Sequence, residues 1–227
     1  MFHGTLDQQT ASGLDTLRKR IDAAGIPSSK LDETLILATW NIREFGRRPR
    51  TPAAIHFIAE ILGQFDLIAI TELRDNLTDL RKVMDVLGGY WKVVFSDFNT
   101  DAAGNRERIA YLYDSRAVVF SGLVAEADPP KRKDRKTKKY VSTIEWWRSP
   151  FMASFRAGNF DFVLLTAHIR WGAGEGDRLA ELTQLAEWVQ NRMKEKHVFD
   201  RDIGSCPRRW CRWIEQSRPA ARFQLAL

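Results

Sequence analysis

The sequence predicts one mixed α/β domain, and three observations carry that expectation. Short apolar runs of strand character alternate with helical segments that keep their apolar residues on one face. Turn residues join some of the runs as hairpins, which require antiparallel neighbours, so a purely parallel sheet is excluded. No internal repeat interrupts the pattern.

Composition supports a packed core. The 227 residues are 44% hydrophobic, enough for one sizeable core and too few for two comfortable domains. Charged residues at 28% and aromatics at 11% argue against wholesale disorder. No run approaches the roughly 18 apolar residues of a membrane span. Arg18, Lys19 and Arg20 precede no apolar stretch, so no secretory signal is expected and the cytoplasm is the expected compartment. The two cysteines, Cys206 and Cys211, make no disulfide framework for the body of the chain. A net charge of +6 favours polyanionic partners without requiring one.

Residues 1–30 read as a polar leader, with Leu14, Leu17 and Ile21 at helical spacing before Pro27 breaks it. The organised part, 31–203, opens with the strand-like run Leu35–Thr39. Thr51-Pro52 is an N-cap followed by proline in the first turn of a helix with Ile55, Ile58, Ile61 and Leu62 on one face. Asp66–Thr71 is a second buried strand, and Asn76 with Asp79 caps a helix through Val83 and Leu87 that Gly88-Gly89 closes. Strands follow at Trp91–Phe95, Ile109–Tyr113 and Val118–Val124. Phe151–Phe155 and Phe160–Ala167 form a hairpin across Ala157-Gly158-Asn159. A helix with Leu179, Leu182, Leu185, Ala186 and Val189 inward ends near Lys196, and Asp200–Ile203 starts a further strand. Residues 204–227 form an atypical tail with both cysteines, five arginines and one acid, Glu215.

Two strand ends carry polar groups suited to chemistry. The first runs into Asn41, Ile42, Arg43 and Glu44, and the second into Glu72, Leu73 and Arg74. Open α/β sheets gather ligand groups at strand ends, because the strand fixes the side chain while the loop opens a crevice. An amide oxygen and a carboxylate suit a hard cation such as Mg²⁺, which takes few protein ligands and keeps several waters. A third strand delivers His168 to its end. Singly, each residue reads as readily as a solvated strand terminus or a structural histidine.

In order, six segments resemble the endonuclease/exonuclease/phosphatase superfamily, deoxyribonuclease I in particular. They are residues 38–46 (Ala-Thr-Trp-Asn-Ile-Arg-Glu-Phe-Gly), 65–75 (Phe-Asp-Leu-Ile-Ala-Ile-Thr-Glu-Leu-Arg-Asp), 93–97, 107–113, 148–151 and 162–168 (Phe-Val-Leu-Leu-Thr-Ala-His), within about residues 35–203. The resemblance implies a deoxyribonuclease-I-like two-sheet sandwich flanked by helices, incomplete at the C-terminus. It implies divalent-metal-dependent phosphodiester hydrolysis, with Glu72 and Asn41 at the metal, Mg²⁺ or alternatively Mn²⁺ or Ca²⁺. It gives His168 a proton-transfer or charge-stabilising role at the scissile phosphate. Arg43, Arg74 and Arg108 would face substrate, with nucleic acid, DNA in particular, as the expected partner through phosphate contacts.

The family's Gly-Asp-Phe-Asn and Ser-Asp-His motifs do not follow Asp202-Ile203, so this chain is expected to be weak or inactive. Ser96-Asp97-Phe98-Asn99 resembles the first motif but stands too early in the order. Interruption of the reading frame near residue 203 would account for the tail; a natural short variant is the alternative. Alternative functions are a catalytically dead nucleic-acid-binding remnant, or a phosphatase or phospholipid-type phosphodiesterase of the same superfamily. The run Lys131–Lys139 would either grip phosphate backbone or form a solvated loop. Trp146-Trp147 would stack on bases or fill an interior hairpin position.

Overall fold

Strands β1 (Leu37–Phe45) and β2 (Leu67–Arg74) pair in parallel through the crossover helix α2 (Pro52–Leu62), the βαβ unit that parallel neighbours demand. The structure is a computed structural model describing residues 1–27, 34–98, 106–144, 146–169, 172 and 174–194. Before β1 stands helix α1 (Gln8–Ala24). After β2 come α3 (Thr78–Leu87), β3 (Trp91–Phe95), β4 (Glu107–Asp114), β5 (Val119–Glu126), β6 (Lys131–Lys133), β7 (Tyr140–Ser142), β8 (Phe151–Ala157), β9 (Phe160–Thr166) and α4 (Glu175–Lys194). One sheet has the order β1-β2-β4-β3, a second β5-β8-β9, and β6 and β7 pair as a two-stranded ribbon. The architecture is mixed α/β, as the sequence predicts. The expected strand at Asp200–Ile203 and the tail with Cys206 and Cys211 lie outside the described residues. Among the described residues no helix is long and apolar enough to cross a membrane.

The chain forms two compact units. Met1–Phe120 with Phe155–Phe160 make the first, and Ser121–Ser154 with the described part of Asp161–Leu227 make the second. In the first unit, β2 is buried on both faces, which is why Leu67–Ile70 read as an unbroken apolar run. On one face Ile55, Ile58, Ala59 and Leu62 of α2 and Leu80, Val83 and Leu87 of α3 pack on Ile68, Ile70 and Leu112. Burying Ile55, Ile58 and Leu62 contributes on the order of 5–8 kcal/mol. The Thr51 cap, accepting from Ala54 N at 3.2 Å, adds about 1 kcal/mol. Packing therefore decides where α2 sits. Phe155 is fully buried edge-on against Tyr111, with ring centroids 5.6 Å apart.

Two buried carboxylates fasten the loops. Asp66 Oδ2 accepts from Ile36 N at 2.7 Å, tying the entry of β1 to that of β2. Asp79 serves differently from the expected cap: Asn76 Oδ1 accepts from Thr78 N at 3.0 Å, while Asp79 Oδ2 accepts from Arg50 N at 2.8 Å across the loop before α2.

In the second unit, Trp146 packs edge-on against Trp188 with ring centroids 5.8 Å apart, the interior alternative for that residue, whereas Trp147 is exposed. Trp188 Nε1 donates to Asp128 O at 3.3 Å, and Glu181 Oε1 accepts from Trp147 N at 3.1 Å, which seats α4. The inward face expected for α4 is corrected: Leu185 is buried, but Leu179 is 62% exposed and Ala186 is exposed too. The periodicity places the helix correctly, but its register is set by Glu181 and Trp188.

Residues 8–24 form a helix seated on α2. Asp7 caps it, accepting from Thr10 N at 2.9 Å, and Leu14 is buried. Glu60, buried on α2, accepts from Arg18 Nε and His3 Nε2, each at 2.8 Å, and the Nδ1 atoms of His3 and His56 lie 3.0 Å apart. Only one proton fits between those two nitrogens. Burial, and then the His3 charge, pushes His56 below the ordinary imidazole range, while Arg18 first and His3 after it hold Glu60 below the usual carboxylate range.

Both groups take up protons more readily in the unfolded chain, so stability rises with pH. The His56 contribution is complete above its ordinary value near 6.5 and is lost as pH falls through its lower folded value. The Glu60 contribution follows the same rule below about 4.5. Protection factors of the α1 amides, exchange rates taken relative to the intrinsic rate at each pH, are therefore expected to fall on acidification from pH 7 to 4. His56→Gln should flatten the fall that begins below pH 6.5, and pH-independent protection of α1 in the unaltered chain would contradict this account.

Candidate active site

At the ends of β1 and β2 the regular pairing breaks. Asn41 pairs with Thr71, but the next partners are Phe45 and Leu73, so three residues of β1 oppose one of β2. On the other side of β2, Ile70 pairs with Ala110 and Leu73 with Arg108, leaving Thr71 and Glu72 opposite the single residue Ile109. Such bulges re-aim a side chain out of the sheet's alternation. Glu72 takes φ +61° and Glu44 φ +49°, left-handed conformations that cost roughly 1–3 kcal/mol each in residues other than glycine. Two acids share this strain at one end of a strand pair.

The strain sets a geometry. Glu72 Oε1 accepts from Asn41 Nδ2 at 2.9 Å, and Glu72 Oε2 accepts from Glu44 N at 2.8 Å. Two of the sequence-predicted residues therefore touch, with a half-buried carboxylate oriented by an exposed amide. Gly46 closes the loop at φ +96°, where a Cβ would stand 2.2 Å from Asn76 O, so only glycine fits there.

The arginines divide. Arg43 is exposed beside Asn41, and its carbonyl accepts from the Arg50 guanidinium. Arg74, expected to face substrate, is largely enclosed: its side chain is 11% exposed, with Nη2 3.3 Å from Glu44 Oε1 and 3.7 Å from Glu107 Oε1. A guanidinium lodged between two carboxylates braces the strand end. Arg108 is also largely enclosed, donating from Nη1 to Ser96 O at 3.0 Å and lying over the Phe98 ring at 4.7 Å. Ser96 Oγ accepts from Ile109 N at 3.1 Å and Asp97 is exposed, so Ser96-Asp97 is a strand end and loop, as its position in the chain implies. Asn99 lies outside the described residues.

Glu44 was not singled out by the sequence reading. Arg47 first, then Arg74 and Arg43, hold its carboxyl below the usual range. The signal was the spacing of Glu44 to Arg47, which directly follows the 38–46 motif. His168 follows β9 in the second unit and is half-buried.

Among the described residues no three His, Cys, Asp or Glu side chains gather as a metal-binding group. A cation at Glu72 would rest on that carboxylate, and on the Asn41 amide oxygen once the amide turns over, since its Nδ2 faces Glu72 in the structure. That hard, sparse oxygen set fits Mg²⁺, which keeps most of its waters, and not Zn²⁺, which takes three or four N and S ligands.

No protein-family model and no curated protein matches the chain. Among solved structures it is similar to a functionally unknown conserved protein from Enterococcus faecalis V583, at 16% identity and TM-score 0.47, over 69% of this chain and 61% of that one. It is similar to an endonuclease/exonuclease/phosphatase family protein from Leptotrichia buccalis C-1013-b, at 12% identity and TM-score 0.47, over 72% of this chain and 64% of that one. A third is TDP2 from Caenorhabditis elegans, at 16% identity and TM-score 0.43, over 77% of this chain and 47% of that one. The chain thus spans less than two thirds of the length of each of these proteins.

Placement of Arg74 carries a testable consequence. Arg74→Ala leaves Glu44 and the buried Glu107 without that partner, and is expected to lower unfolding free energy by about 2–3 kcal/mol in urea titration. A substrate-facing arginine would instead leave stability within about 0.5 kcal/mol, and that result would overturn the bracing role.

Proposed function

We propose that the chain carries out divalent-metal-dependent phosphodiester hydrolysis, with nucleic acid as substrate. The observation that carries this reading is the hydrogen-bonded Asn41–Glu72 pair, with Glu72 in left-handed backbone, at the bulged end of two parallel strands. Strain of this kind persists where the surroundings enforce it, and it clusters at ligand sites. The resemblance of residues 38–46, 65–75 and 162–168 to phosphodiesterase motifs supports the same reading.

Glu72 and Asn41 would hold the cation, which when bound supplies a positive charge against the non-bridging phosphate oxygens. Glu44 N and Asn41 Nδ2 keep the Glu72 carboxylate oriented, so little reorganisation is needed when charge develops. By the resemblance, His168 would donate a proton towards the leaving oxygen; Arg43, exposed beside Asn41, would contact an adjacent phosphate. Arg108 would act from behind, fixing the loop after β3. Hydrolysis consumes one water: its oxygen bonds to phosphorus, the phosphorus–ester oxygen bond breaks, the departing oxygen takes the His168 proton, and the proton released by the water restores that imidazole through solvent.

Supercoiled plasmid incubated with Mg²⁺ provides the test. At most slow nicking is expected, because the Gly-Asp-Phe-Asn and Ser-Asp-His motifs do not follow Ile203, and Glu72→Ala and His168→Ala should each abolish it. Nicking that survives both substitutions would assign the activity elsewhere. Intact plasmid in every sample, with salt-sensitive retention of DNA, would replace hydrolysis by binding alone.

A further inference from the structure

The basic run is not the unstructured loop its composition allows. Lys131–Lys133 and Tyr140–Ser142 pair in antiparallel register, Lys131 opposite Ser142 and Lys133 opposite Tyr140. Asp134 builds the turn: its Oδ1 accepts from Lys136 N at 3.0 Å, Thr137 N at 2.6 Å and Thr137 Oγ1 at 2.9 Å. At the base, Thr143 N and Oγ1 both donate to Pro130 O at 2.9 Å. Every residue from Lys131 to Thr143 except Asp134 is exposed, so neither face of the ribbon supplies a core.

A two-stranded hairpin without a packed face is marginal in water. This one also crowds seven cations against a single carboxylate in twelve residues, a surplus equal to the net charge of the whole chain. The one acid, Asp134, is held ionised by the turn, first by the Thr137 amide, and its single charge is set against seven cations, so most of the repulsion remains. Order against such repulsion points to a polyanion as counterpart.

We propose that the β6–β7 ribbon is a docking element for double-stranded nucleic acid, lying in a groove with its cations on the flanking phosphates. Strands about 4.8 Å apart make a ribbon that the roughly 12 Å major groove admits. Tyr140, 70% exposed with the Lys133 ammonium 6.0 Å from its ring, stands on the same ribbon face as Lys131 and Lys133 and can lie along the groove wall. The tip, Lys136-Thr137-Lys138, is polar, which fits a groove or phosphate surface and not insertion into a bilayer. The choice of nucleic acid rests on the function proposed above. The ribbon's role is binding, separate from the chemistry at Glu72.

Fluorescence anisotropy with a labelled duplex of about 25 base pairs, in EDTA so that cleavage does not enter, tests this. Neutralising four cations together (Lys133→Gln, Arg135→Gln, Lys136→Gln, Lys138→Gln) is expected to reduce the slope of log affinity against log salt by about 3–4. Affinity at low salt should fall by roughly 100-fold or more. Asp134→Ala adds net positive charge but loosens the turn, so weaker binding is expected. Tighter binding would overturn the ribbon geometry in favour of generic basicity. Binding in EDTA needs no turnover, so a chain that fails to nick plasmid yet loses its salt slope in the quadruple variant keeps failure of catalysis distinct from failure of docking. An unchanged salt slope in the quadruple variant, or retention on phosphatidylserine vesicles with none on duplex, would overturn the proposal.

Discussion

One carboxylate held by two N–H groups is the interaction on which the rest depends. Glu72 stands where a strand ends, a position that ordinarily leaves a side chain several rotamers and full hydration. Asn41 Nδ2 occupies one of its oxygens and Glu44 N the other. The first donor comes from the neighbouring strand and the second from a backbone amide turned inward by the bulge. Each therefore requires that β1 and β2 run parallel and that their register slip after Asn41. The crossover through α2 meets the first requirement and Gly46 permits the loop that follows the slip.

The arrangement is affordable only because the strand carrying it is so thoroughly buried. Left-handed backbone at Glu44 and Glu72 costs roughly 1–3 kcal/mol apiece. The immediate neighbours Phe45, Ile70 and Leu73 are fully buried and contribute about 1.5–3 kcal/mol each. Local strain is thus outweighed by side chains one or two residues away. Arg74 adds an electrostatic brace between Glu44 and Glu107. A site anchored in this way can present an exposed amide and a half-buried carboxylate without relaxing into ordinary strand geometry.

Much of this was legible in the sequence, for identifiable reasons. Continuous apolar runs located β2 and β4 because both lie inside the sheet and bury nearly every residue. Thr51-Pro52 located the start of α2 because cap chemistry is local, and Asn41 and Glu72 stood out because polar groups at strand ends break an apolar run. What escaped depended on long-range partners. Arg74 looked like a surface arginine because nothing local announces Glu107, thirty-three residues on. Glu44 stood in the motif without a role because a left-handed φ in a glutamate has no sequence signature. Leu179 fitted a helical stripe, yet the face that α4 buries is chosen by Glu181 and Trp188. The Lys131–Lys139 run concealed a ribbon because charge masks strand propensity, and only the Asp134 turn reveals it.

The central claim is that the Asn41–Glu72 pair forms a seat for a hard cation. Titration of Mg²⁺ into uniformly ¹⁵N-labelled protein, followed by amide correlation spectra, tests it without recourse to any substrate. The Asn41 side-chain amide and the Glu44 backbone amide should shift saturably and together, and Glu72→Gln should abolish both responses. If those two signals stay still while Mg²⁺ perturbs other carboxylates, the pair is a structural clasp and the account fails.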